Sequence, residues 1–239
     1  MVSALVWGTR GREFKSPQPD HTVETEPVRK GRLDHFSGQI SANVSLRYRS
    51  EMSTNLRLYT STVFAFEHVL KNAKPTAFAR KAPCAGWTGK DVYEHAVGNL
   101  AMIKTFATTG KGPKSTPKLG ADPVGAWVKL REQTLEVLDH AHVLESIAHD
   151  PFGPGFGPMD MDTLVGFMAA DLVPHTWDMA RTAKVDERLD AALVKHAMAT
   201  WKGLPEDVLR MPGMMSAAVK PAPGADAQTK MLNFLGRTV

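Results

Sequence analysis

The chain has 239 residues, of which 43% are hydrophobic and 23% are charged, and its 29 Lys and Arg against 25 Asp and Glu give a formal net charge of +4. This balance is typical of a globular protein of one or two domains. The positive charges are scattered and not interleaved with aromatic residues, so we expect no nucleic-acid partner. The sequence shows neither an apolar run of about 18 residues nor a secretory leader, so we expect no membrane association and a cytoplasmic location. Because Cys84 is the only cysteine, the ligands of any metal must be His, Asp or Glu.

Residues 1–51 are interrupted by proline and glycine and show no sustained apolar periodicity, so we predict that they are disordered. Residues 7–20 resemble a peptide translated from the 3′ half of a transfer-RNA gene. The segment is therefore either an over-extended gene start, with Met52 as the true initiator, or a genuine flexible tail. We predict the helical domain over residues 52–239.

Three helices are predicted in the first half of this domain. Apolar residues at three- and four-residue steps predict a helix over residues 55–72. Thr88 and Asp91 have the spacing of a capping box and open a second helix that ends before Gly110. A loop follows over residues 110–120, and Asp122 then caps a third helix.

The second half is predicted to be helical as well. Residues 149–160 contain too many prolines and glycines for a regular element and are interpreted as a loop that serves as a lid. Helices are predicted over residues 161–181, 189–201 and 228–235, with a proline-rich connection over residues 205–223. Since no segment has a convincing strand period, the fold class is all-α, a helical bundle with additional C-terminal helices.

The residues with the clearest chemistry lie on the second and fourth helices. Asp171 and His175 are four residues apart and therefore share one face of the fourth helix. His95, two turns into the second helix, is the best candidate for a third ligand. Two imidazoles and one carboxylate suit a tetrahedral zinc with an open position or an octahedral ion with several waters. The alternative is a hydrogen-bonded histidine without a metal, because this spacing is common.

Two segments carry a resemblance to a known family. Residues 83–95 (PCAGWTGKDVYEH) and residues 171–181 (DLVPHTWDMAR) resemble the metal-binding domain of mycothiol-dependent maleylpyruvate isomerases, which belongs to the DinB/YfiT-like superfamily. The resemblance extends from about residue 52 to the C-terminal Leu-Gly-Arg sequence. It implies a DinB-like four-helix bundle.

The resemblance also implies a site and a chemistry. Its metal ligands fall on His95, Asp171 and His175, and the metal is zinc, with nickel, iron or manganese as alternatives. The isomerases carry Glu where this chain has Asp171, so the shorter side chain is expected to alter the metal or its distance. Mycothiol is implied as the co-substrate, and the metal would activate its thiol towards an electrophilic small molecule in an actinobacterial cytoplasm.

The sequence is consistent with two functions. The first is a metal- and thiol-dependent isomerase or transferase, for which the sequence assigns no catalytic residue. The second is a non-catalytic metal-binding or stress-response protein, in which the ion braces the second helix against the fourth. We expect a monomer or a homodimer.

The neighbouring residues have simpler interpretations. Asp178 either orients His175 or forms a surface pair with Arg181. Cys84 is either a nucleophilic thiol near the start of the second helix or a small packing residue, and the second interpretation is favoured. Trp177 either lines the cavity or packs in the core, and core packing is favoured, while Trp87 is interpreted as packing. Five histidines lack partners at a useful spacing and are interpreted as surface or core residues: His68, His140, His142, His149 and His196.

Overall fold

The computed structural model describes residues 52–153, 157–211 and 213–239. The predictions of a disordered tail or an over-extended gene start over residues 1–51 lie outside the described residues. Residues 53–239 fall within one compact unit. Its helices are α1 Thr54–Asn72, α2 Gly89–Thr109, α3 Pro123–Leu138, α4 Met161–Ala183, α5 Ala191–Lys202, α6 Glu206–Leu209 and α7 Ala227–Phe234.

The all-α class is confirmed, and the predicted helix starts coincide with caps. Asp91 Oδ2 accepts hydrogen bonds from the backbone N–H of Thr88 at 2.8 Å and from its hydroxyl at 2.6 Å. Asp122 Oδ1 accepts from the backbone N–H of Gly125 at 2.8 Å. These bonds satisfy N–H groups that have no partner inside the helix, which explains why α2 and α3 begin where they do. In the described part of the chain, none of the helices is long and apolar enough to cross a membrane.

Four short elements were not predicted. A 3-10 helix spans Pro75–Ala79, α6 lies within the predicted connection, and β1 (Ile147–Ala148) pairs antiparallel with β2 (Met159–Asp160). The expectation that residues 149–160 hold no regular element was therefore wrong at β2. Two-residue strands are too short to show an alternating pattern, and their hydrogen bonds depend on a partner segment ten or so residues away.

Helix α4 lies at the centre of the packing. It contacts α1, α2 and α5, while α3 packs against α2 and α1, so the four long helices follow one another in the order α1, α4, α2, α3. Most residues of α4 are buried, as expected for a helix enclosed on several sides. This arrangement brings the predicted ligand face of α4 next to α2.

Pro174 lies inside α4 and cannot donate the backbone hydrogen bond to the carbonyl of Ala170. Trp201 on α5 replaces that donor, since its Nε1–H bonds to the Ala170 oxygen at 3.1 Å. The freed carbonyl is therefore satisfied within the protein. The hydrogen bond from Trp201 thus joins α5 to α4 at Ala170, about one turn before the predicted ligand His175.

A buried ion pair joins α3 to α1. Arg131 Nε lies 2.5 Å from Glu67 Oε2, and Lys71 Nζ lies 2.6 Å from Glu67 Oε1. Burial alone raises the pKa of the Glu67 carboxyl, but the hydrogen bonds from its two basic partners outweigh it and hold the pKa below the ordinary value. The pair is therefore ionised near neutral pH.

Helices α5 and α7 cover the C-terminal half of α4 with an apolar cluster. Trp177 is fully buried in this cluster, and the guanidinium of Arg181 lies 4.5 Å from the centre of its ring. The interpretation of Trp177 as a core residue is confirmed.

Candidate metal centre

The three predicted ligands meet between α2 and α4. His95 Nε2 lies 2.9 Å from Asp171 Oδ2, and His175 Nε2 lies 3.9 Å from Asp171 Oδ1. One donor atom from each side chain lies within 4.8 Å of the other two. A tetrahedral zinc with bonds of about 2.1 Å separates its ligand atoms by about 3.4 Å, a value between the two observed distances. The donor types and their spacing therefore fit a divalent metal ion.

The cluster is reached from solvent. The exposed fractions of the three side chains are 26% for His95, 19% for Asp171 and 10% for His175. A purely structural metal site is closed by four protein ligands, whereas a catalytic site keeps a position open to substrate. Three partly exposed donors match the second pattern.

Asp171 is supported from inside the bundle by an amide. Asn99 Nδ2 donates to Asp171 Oδ2 at 3.4 Å and to the Met168 carbonyl at 3.0 Å, and the Tyr59 hydroxyl donates to Asn99 Oδ1 at 3.2 Å. Burial alone raises the pKa of Asp171, but the facing His95 outweighs it and the pKa lies well below its ordinary value. The carboxylate is therefore charged, as a metal ligand must be.

The pKa values of the two imidazoles are shifted in opposite directions. For His95, burial lowers the pKa, but the charge and hydrogen bond of Asp171 outweigh burial and raise it. For His175, burial and the neighbouring His95 lower the pKa. His175 is thus neutral near pH 7, while a metal must displace the proton that His95 shares with Asp171.

His175 is held by a carboxylate behind it. Asp178 Oδ2 lies 3.0 Å from His175 Nδ1, and Arg237 contacts both oxygens of Asp178, at 2.7 Å and 3.1 Å. Burial alone raises the pKa of Asp178, but Arg237 outweighs it and keeps the pKa well below its ordinary value. Arg181, the other predicted partner of Asp178, pairs instead with Glu187 at 3.0 Å. Of the two interpretations of Asp178, the structure therefore supports contact with His175.

A second group of donors, formed by Cys84, His175 and Asp178, is a poorer metal site. Its ligand atoms also lie within 4.8 Å of one another. However, Arg237 Nη2 is 3.3 Å from Cys84 Sγ, so a guanidinium already supplies the positive charge there. Burial raises the pKa of the Cys84 thiol, which stays protonated and donates to Asp178 Oδ2 at 3.0 Å.

Besides Asn99, two residues at the site were missed by sequence reasoning. Trp87, interpreted as packing, stacks on His175 with 5.4 Å between ring centres and an interplanar angle of 10°, and its ring centre lies 5.3 Å from that of His95. Its position just before the capping box of α2 was the available signal. Arg237 was noted only as part of the C-terminal Leu-Gly-Arg sequence, because no local spacing links it to Asp178.

The remaining predictions concern five histidines and the predicted lid. Within the described ranges, neither metal-ligand group includes the five histidines interpreted as surface or core residues. One of them, His196, contacts the Gly166 carbonyl at 2.8 Å. The predicted lid includes residues 154–156, which lie outside the described residues. Within the described part of this lid, Phe152 contacts the ring of Phe167, about two turns before His175 on α4.

Comparisons with known proteins give a distant relationship. No family model matches the chain, and no solved structure matches it. The chain is similar to an uncharacterized protein of Mycobacterium tuberculosis strain CDC 1551 / Oshkosh and to one of strain H37Rv. Each is 27% identical over 187 residues, which cover 73% of this chain and 93% of the relative. The expected actinobacterial relationship is thus found, and the relatives' names carry no function.

Proposed function

We propose that the chain binds one divalent metal ion through His95, Asp171 and His175. The observation that carries this proposal is that imidazole nitrogens from two helices converge on one carboxylate. Zinc is the first candidate because it favours a mixed nitrogen and oxygen donor set with few ligands, while nickel, iron and manganese accept the same donors.

The fold that we propose for α1 to α4 is a DinB-like four-helix bundle. The closed packing order α1, α4, α2, α3 supports it, because it sets the ligand-bearing helices α2 and α4 side by side. In the resemblance the metal ligands come from the same two helices. The short α6 and the helices α5 and α7 are then additions around the C-terminal half of α4.

We further propose that the protein is a metal- and thiol-dependent transferase or isomerase, with mycothiol as the thiol and an electrophilic small molecule as the substrate. A divalent ion bound at this site lowers the pKa of a thiol or water by several units and so supplies a nucleophile near neutral pH. Asp171 provides the negative charge for the ion, and Asp178 orients His175. Trp87 forms an apolar wall beside both imidazoles.

Turnover with mycothiol tests this function. The zinc-loaded protein is incubated with mycothiol and a panel of electrophiles that includes maleylpyruvate, an epoxide and an alkyl halide. Formation of product is followed for each of them, and loss of thiol is followed for the epoxide and the alkyl halide, because an isomerisation releases the thiol again. We expect conversion that needs both thiol and metal, that falls at least 100-fold in His95→Ala, and that is unchanged in His68→Ala, an exposed histidine on α1. A protein with one bound zinc that converts none of these substrates faster than free zinc would contradict the enzymatic proposal.

A non-catalytic metal protein is the second candidate. The contact between His95 and Asp171 joins α2 to α4, so an ion held there would also brace the two helices. This candidate predicts that zinc raises the melting temperature strongly and that His95→Ala abolishes the rise, with no turnover. An enzyme instead loses turnover in His95→Ala with little loss of melting temperature in the zinc-treated protein.

A further inference from the structure

We infer that Arg237 is a positioning residue of the metal centre, which acts on His175 through Asp178. The inference deepens the proposed function, since metal affinity is one of its two readouts. The other readout is the position of the proton on His175 in the metal-free protein. That readout does not depend on whether a metal binds.

Arg237 fixes the carboxylate of Asp178 with two hydrogen bonds. Its Nε donates to Oδ1 at 3.1 Å and its Nη2 donates to Oδ2 at 2.7 Å. Asp178 is 0% exposed, and the Arg237 side chain is also buried. Such a bidentate pair sets the rotation of the carboxylate as well as neutralising it, which a single point charge does not do. Without the guanidinium, the buried carboxylate lacks a counter-charge, and the remaining contacts from the Cys84 thiol and His175 hold only Oδ2.

The fixed carboxylate in turn selects one form of His175. Asp178 Oδ2 lies 3.0 Å from His175 Nδ1, and because a carboxylate only accepts hydrogen bonds, the proton belongs on Nδ1. The lone pair of Nε2 then faces Asp171. The distance from Nε2 to Asp171 Oδ1 is 3.9 Å, too long for a hydrogen bond, so this lone pair remains available to an ion.

The turn after α7 holds the backbone of Arg237 in place. The backbone N–H of Arg237 donates to the Leu232 carbonyl at 2.9 Å, and Asn233 Nδ2 donates to the Arg237 carbonyl at 2.8 Å. Gly236, the residue before Arg237, has a φ of +83°, and a Cβ at this position would lie 2.7 Å from Ser216 Cβ. Only glycine fits this turn without strain, so the end of α7 holds Arg237 in one place.

The metal-free protein provides the first test. We would record the 15N chemical shifts of the His175 ring in wild type, Arg237→Met and Arg237→Lys. The inference predicts an Nδ1–H form in wild type and a shift towards the Nε2–H form or a mixture in Arg237→Met. Arg237→Lys keeps the charge but not the second hydrogen bond, so it should lie between them. A His175 ring with the same proton position in all three proteins would overturn the inference.

Zinc affinity provides the second test, measured by competition titration with a chelating dye. We expect Arg237→Met to raise the Kd for zinc about tenfold or more, the range seen when support behind a metal-binding histidine is removed. The matched control is Arg188→Met, which removes an exposed arginine that pairs with Asp186. Its Kd should stay within about twofold of wild type.

A double variant separates positioning from general stability. If Arg237 acts through Asp178, then in the Asp178→Asn background the change Arg237→Met adds little to the Kd. Additive effects of the two changes on the Kd would overturn the inference. A Kd for zinc that rises as much in Arg188→Met as in Arg237→Met would overturn it as well. Wild type that binds no zinc would refute the proposed function, whereas wild type that binds zinc as tightly as Arg237→Met would refute only the role of Arg237.

Discussion

The buried contact between Tyr59 and Asn99 gives a prediction whose size follows from the structure. Both side chains are buried, and the Tyr59 hydroxyl donates to Asn99 Oδ1 at 3.2 Å. Burial raises the pKa of this hydroxyl, which therefore stays a donor at all accessible pH values. Tyr59→Phe keeps the ring but leaves the amide oxygen of Asn99 without its donor.

The expected loss is about 1–2 kcal/mol, the cost of one unsatisfied buried acceptor. For a domain of this size, that loss lowers the melting temperature by about 2–8 °C. The measurement is urea unfolding of the metal-free protein followed by circular dichroism. Tyr93→Phe is the matched control, because the Tyr93 hydroxyl donates to the carbonyl of the partly buried Pro123, where water can replace it. We expect it to cost less than about 1 kcal/mol.

The double variant Tyr59→Phe/Asn99→Leu completes the test. Removing both partners leaves no unsatisfied polar atom of this pair. The free energy of unfolding should therefore fall by about 1 kcal/mol less in the double variant than the two single losses add up to. Strict additivity, or a loss in Tyr59→Phe no larger than in Tyr93→Phe, would refute the reasoning that this hydrogen bond supports the candidate site.

Three further outcomes are expected. Gly236→Ala should destabilise the protein by about 1–3 kcal/mol in urea unfolding, because its positive φ and the nearby Ser216 leave no room for a Cβ. Trp201→Phe should cost about 1–2 kcal/mol in the same assay, since it removes the donor to the carbonyl that the proline of α4 frees. Glu67→Gln should be less stable than wild type at pH 6, and this difference should shrink as the pH falls through the lowered pKa of Glu67, where protonation ends its pairing with Arg131. A difference that grows towards low pH would contradict the last of these.

The helices and the convergence of Asp171, His175 and His95 could be predicted because most of their signals are local. The capping box of Thr88 and Asp91 lies within four residues, and the Asp171 and His175 spacing is a property of any α-helix. Placing His95 beside them required only that α2 and α4 be neighbours. A likeness to a known family supplied that arrangement.

The remaining features depend on contacts between distant parts of the chain. Asp178 and Arg237 are far apart in sequence, and a charged pair on a surface helix turn was equally consistent with the pattern around Asp178. The stacking of Trp87 on His175 follows from the path of the chain before α2, which apolar periodicity does not describe. The strands β1 and β2 are two residues long, and each is defined only by its pairing with the other.

Metal content tests the central proposal most directly. Untagged protein, reconstituted with zinc and dialysed, is analysed by plasma mass spectrometry as wild type, as His95→Ala/His175→Ala and as the control His68→Ala/His140→Ala, whose two histidines are exposed. The account predicts about one metal ion per chain in wild type and in the control, and almost none in the His95→Ala/His175→Ala variant. Equal metal content in all three proteins, or none in wild type, would contradict it.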